Sequence, residues 1–114
     1  MENKTPEIIA KYYDFLKWGI ERIERMPKTQ RYSFGTQLQN KMVRILEDLI
    51  DAYYRRDKLE LLKSINLDFE ILRYYFRLAK DLNWITIKQY DFAIKSLLDI
   101  GQQLGGWIKQ QTRA

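Results

Sequence analysis

The stretch Ile71 to Leu82, ILRYYFRLAKDL, places Arg73, Arg77 and Lys80 four and then three residues apart. On an α-helix that spacing projects the three cations within about 60° of one another, so they can act together on a phosphate backbone. Tyr74 and Phe76, interleaved in sequence, point away from this sector and need not stack on bases. Lys80 has a plainer account as well, because the helix dipole favours cations near a C-terminus. Two further cationic groups flank turns: Arg22 and Arg25, with Lys28 and Arg31, surround Pro27, and Arg55 and Arg56 precede Asp57-Lys58. These seven arginines and lysines, Arg73, Arg77, Lys80, Arg55, Arg56, Arg22 and Arg25, are the candidate nucleic-acid contacts.

Other chemistry finds little support. Glu47, Asp48 and Asp51 bring carboxylates within reach of one another, as do Glu21 and Glu24, but they lie off the apolar stripes and read as solvated helix faces. The chain has no His and no Cys, so it lacks the usual imidazole ligands and bases and has no thiolates. A di-metal bundle would require inward-facing Glu-x-x-His motifs. Ser33, Ser64 and Ser96 have no histidine base, and no GxxxxGK phosphate loop is present. No catalytic residue, metal or cofactor is therefore expected.

The elements that must position the cations follow from the apolar spacing. With 114 residues, 46% hydrophobic and 31% charged, the chain reads as one domain over 1–114, and its net charge of +5 favours polyanionic or acidic partners. Apolar residues recur at three and four, giving four helices over about 6–26, 34–55, 58–82 and 87–110. Thr5 is the expected cap of the first helix, with Pro6 at its first position, and Pro27 ends it. Pro27 to Tyr32 is the longest connection, after which Ser33 caps the second helix. Asp57 with Glu60, and Thr86 with Gln89, have the spacing of reciprocal capping pairs. Gly105-Gly106 suits a close helix approach or a distortion. The short turns predict an all-α, antiparallel up-down-up-down four-helix bundle.

Three aromatic residues do not fit a lone bundle. The third helix carries one stripe of Leu62, Ile65, Phe69, Leu72, Phe76 and Ala79 and a second of Leu67, Ile71, Tyr74 and Leu78, with Tyr75 between them. Together they cover about 220° of its circumference, more than one core contact requires. Trp18 falls among Lys11, Arg22 and Arg25 on the charged face of the first helix, and Phe92 falls on the polar face of the fourth. Trp18, Tyr75 and Phe92 are thus the candidate contacts to another subunit or a partner protein. No apolar run approaches a membrane span, and no leader is evident, so a cytoplasmic location is expected.

The order and spacing of TPEIIAKYYDFLKW, IERIERMPKTQRYSFG, AYYRRDKLELL, NLDFEILRYYFRLAKDL and IGQQLGGWIK resemble the accessory variability determinant proteins of diversity-generating retroelements. The resemblance runs nearly end to end. It implies a non-catalytic, basic four-helix bundle that assembles as a homopentameric barrel, binds RNA and DNA, and associates with the retroelement's reverse transcriptase. That enzyme copies a template RNA into mutagenised cDNA, which replaces a variable region of a target gene by retrohoming. Bundle proteins encoded by intervening sequences of 23S ribosomal RNA genes are the related alternative, implying an oligomeric structural or protein-interaction module.

Overall fold

In the computed structural model, which describes residues 6–113, Pro27 both ends one helix and starts the next. Helix α1 spans Glu7–Glu24, with Arg25 as its C-cap residue; Arg25 N–H donates to the Arg22 carbonyl at 3.2 Å and Met26 N–H to the Ile23 carbonyl at 3.0 Å. Pro6 precedes α1 as its N-cap residue rather than opening it, at φ −54° and ψ 142°, while Thr5 lies outside the described residues. The expected connection after Pro27 is a short helix, α2 (Lys28–Tyr32). Pro27 precedes it as the N-cap residue, at φ −53° and ψ 144°, and its carbonyl accepts from Arg31 N–H at 2.9 Å.

Ser33 does not cap α3 (Phe34–Tyr54). Its hydroxyl donates backwards, to the Thr29 carbonyl at 3.0 Å, because the end of α2 leaves carbonyls without helical partners. The Asp57–Glu60 capping pair is likewise absent. Helix α4 (Leu59–Asp81) has Lys58 as its N-cap residue and no side-chain capping bond, so Glu60 sits one position too early and pairs with Lys63 at 3.6 Å instead. The Thr86–Gln89 pair does form. Gln89 N–H donates to Thr86 Oγ1 at 3.0 Å and Thr86 N–H to Gln89 Oε1 at 2.9 Å, opening α5 (Ile87–Arg113). Between α4 and α5, Asn83 adopts φ 63°. Trp84 N–H reaches the Ala79 carbonyl at 2.8 Å and Asn83 N–H the Lys80 carbonyl at 3.0 Å, which is the left-handed Schellman closure that asparagine tolerates.

The described residues form helices and turns, with no strand. The four long helices pack in a ring in chain order, α1 on α3, α3 on α4, α4 on α5 and α5 on α1, and α2 lies on α3. Each inward stripe is buried, including all six residues of the first α4 stripe, Leu62, Ile65, Phe69, Leu72, Phe76 and Ala79. Rings cross the bundle from α1 to α4: Tyr12 stacks on Phe69 at 5.9 Å and Phe15 tilts onto Phe76 at 5.7 Å. Tyr12 is fully enclosed, donates its hydroxyl to the Met42 carbonyl at 2.6 Å, and burial, with Asp68 nearby, pushes its ionisation well above the ordinary phenol range.

Glycines sort by helix. A Cβ on Gly19 would lie 2.5 Å from Met42 Cε, and one on Gly35 would lie 2.8 Å from Ile23 Cγ2, so both permit close packing of α1 and α3. At Gly105 and Gly106 nothing lies within 4 Å. The expected close approach is not made there, and α5 runs through both glycines to Arg113, past the end near Gln110 that the spacing indicates. None of the described helices is long and apolar enough to cross a membrane.

Candidate nucleic-acid interface

Helix α4 divides into three faces. Its first stripe fills the core, its second leaves Leu67, Tyr74 and Leu78 in solvent, Tyr74 at 67% exposure, and its edge towards α5 carries Arg73, Arg77 and Lys80. The structure brings these three cations together. Arg73 Nη1 lies 3.1 Å from Glu70, Arg77 Nε 3.8 Å from Asp81 and Lys80 Nζ 3.1 Å from Asp81. Lys80 also sits 4.8 Å from the centre of the Tyr90 ring on α5. A shallow groove of about 120 Å³ runs beside them, lined by Glu70, Arg73, Tyr74, Arg77 and Tyr90. Three cations against two carboxylates leave a net charge of +1. Exposed ion pairs of this kind are worth about 0–1 kcal/mol, so a phosphate can replace the carboxylates at little cost.

The other cations form two groups. Arg22 lies over the Trp18 ring at 5.7 Å, and its Nε is buried with no hydrogen-bond partner among the described residues. Arg25 is exposed near the same end of the bundle. Arg55 is tied to Asp51 at 2.8 Å, whereas Arg56, also exposed, has no ion-pair partner among the described residues. The α1–α2 connection and the α4–α5 turn share one end, where Phe34 meets Trp84 at 5.0 Å, and the α3–α4 turn occupies the other. The molecule is 46 Å long, several times the roughly 8 Å over which physiological salt screens charge, so the two ends act as separate electrostatic sites.

Trp18 differs from its sequence-based placement. It is half-buried, with Phe92 at 4.8 Å, Phe15 at 5.8 Å and Phe76 at 6.0 Å. A wheel drawn on α1 alone puts it among charges, but α5 supplies its neighbour. Phe92 retains 48% exposure as the outer member of that cluster. Tyr75 is half-buried against Phe34 at 5.5 Å. The apolar surface still open on α4 belongs to Leu67, Tyr74 and Leu78. Sequence reasoning passed over Tyr53, Tyr54 and Tyr90, which lie beside the cations. The signal for the first two was available: Ala52 is the last inward position of α3, so the tyrosines before Arg55-Arg56 extend past the core.

Among the described residues no group of His, Cys, Asp or Glu is arranged to hold a metal ion, and the chain carries no catalytic motif. No curated protein matches it. Residues 8–111 match the model of the family described as bAvd-like. A basic, all-helical chain without catalytic groups, matched over nearly its whole length, belongs to that family, the accessory variability determinants.

Proposed function

We propose that the protein is a non-catalytic accessory subunit of a diversity-generating retroelement. It binds RNA and DNA through phosphate, associates with the retroelement's reverse transcriptase, and supports template-directed mutagenic cDNA synthesis and retrohoming. The observation that carries this reading is the family match over residues 8–111. The Arg73, Arg77 and Lys80 edge supplies its physical logic, beside an exposed apolar stripe on the same helix. That stripe, Leu67, Tyr74 and Leu78, suits contact with further copies of the chain, five in the barrel that the family resemblance implies. A ring of copies would repeat the cationic edge around its axis and hold anionic template and product near an attached enzyme. The polymerase supplies the chemistry.

The test is template-primed cDNA synthesis by the cognate reverse transcriptase, with and without this protein, alongside co-purification of the two. Synthesis is expected to depend on the wild-type chain and to fall with R73A/R77A/K80A at matched oligomeric state. Nucleic-acid affinity should drop steeply between 50 and 300 mM salt, roughly in proportion to the phosphates neutralised. Synthesis and enzyme association indifferent to the protein would sink the reading and favour the intervening-sequence type of bundle.

A further inference from the structure

Carboxylates divide the surface grooves formed by the described residues. The α4–α5 groove of about 290 Å³ and its smaller neighbour both include Glu70, and the groove of about 250 Å³ between α1 and α5 includes Asp14 and Asp99. A fourth lies at the α3–α4 end, measures about 520 Å³, and has no acidic residue among the described residues that line it. Its walls are Tyr53 and Trp107, its polar groups are Lys58, Gln110 and Gln111, and Pro6 and Ile8 complete it. Lys58 Nζ stands 5.4 Å from the Trp107 ring centre. Outside the groove Tyr54, 81% exposed, meets Tyr53 edge-on, with ring centres 5.0 Å apart and planes at 82°. Arg56 projects into solvent from the turn that follows.

We propose that this groove is a stacking site for an unpaired nucleobase, so that this end of the bundle takes single-stranded nucleic acid. The inference rests on the nucleic-acid reading above but uses different residues and a different force. Aromatic faces accept any base, amide side chains can meet a base edge, and a cation with no competing carboxylate can meet the adjoining phosphate. A duplex keeps its bases stacked on one another and cannot offer one to Tyr53 or Trp107. The Arg73, Arg77 and Lys80 edge, by contrast, meets phosphates of either form.

Fluorescence anisotropy with a labelled oligo-dT of about 15 nucleotides and a duplex of equal length separates the two sites. Wild-type protein is expected to bind both. Tyr53→Ser and Trp107→Leu should each weaken oligo-dT binding about tenfold, in the range measured for loss of one stacked base, and leave duplex binding within twofold. Tyr53→Phe and Trp107→Phe keep the ring and should keep the affinity. Tyr53 is half in solvent, so its serine variant provides the readout even if Trp107→Leu fails to fold. Equal losses on both probes, no loss on oligo-dT, or failure of the phenylalanine variants to rescue would overturn the stacking site. If duplex binding disappears in R73A/R77A/K80A while Tyr53→Ser binds oligo-dT normally, the phosphate reading survives and this one does not. If wild type binds neither probe, both fall.

Discussion

At the α4–α5 end the chain closes on itself: Asn83 completes a Schellman turn, Thr86 and Gln89 cap one another, and Trp84 packs on Phe34. At the α3–α4 end no side chain caps α4, Arg55 pairs with Asp51 on the preceding turn, and Tyr53 and Tyr54 point outwards. Both ends join helices by a few residues, so topology does not explain the difference. What differs is the turn itself: Trp84 packs on Phe34 beside the α4–α5 turn, whereas Tyr53 and Tyr54, just before the α3–α4 turn, stand 45% and 81% exposed. The core reaches both ends, through Ala52 and Leu62 at the second, so Tyr53 and Tyr54 lie beyond it and need not stabilise the fold.

Stability measurements should break this contrast if it is wrong. The largest loss is expected at Phe76, fully buried between Phe15 and Trp18: Phe76→Ala should lower unfolding free energy by about 3–5 kcal/mol in a denaturant titration. Next comes Gly35→Ala, whose new methyl meets the stiff Ile23 side chain and should destabilise by about 1–3 kcal/mol. Thr86→Ala removes one half of the reciprocal cap and should lose about 1 kcal/mol, seen as a lower urea midpoint with unchanged slope. Near the open end the signs soften. Gly105→Ala, with nothing within 4 Å of the new atom, should stabilise α5 by about 0.5–1 kcal/mol, and Tyr54→Ser should stay within about 0.5 kcal/mol. A large loss at Tyr54 would show that the second end is structural after all.

The bundle was legible because burial has a period. Every residue of the stripe from Leu62 to Ala79 is buried as the wheel places it. Capping was legible only where register was unambiguous: Thr86 directly precedes α5, whereas the Asp57 pairing fails because the helix begins one residue later than that pairing requires. Trp18 is half-buried where the wheel leaves it exposed, for a different reason. A helical wheel contains one helix, and the ring that covers Trp18 comes from Phe92, distant in sequence. The cations on α4 were placed correctly on one edge, but their carboxylate partners Glu70 and Asp81 soften the field that the positive residues alone suggest. Tyr53 and Tyr54 are legible only by where the stripe ends, at Ala52; the apolar period itself says nothing about aromatics beyond it.

The ring of helices also sets an order of assembly. Each of α3, α4 and α5 packs on the helix before it in the chain, so those contacts close short loops and form early at small entropic cost. The seam between α1 and α5 is different, because Lys11 reaches Asp99 across 88 residues and Gln103 reaches Glu7 across 96. That seam is expected to form last and to part first. Truncating Ile100, buried on α5 beside Lys11 and Phe15, to valine should therefore accelerate unfolding in a stopped-flow chevron while leaving the folding arm in place.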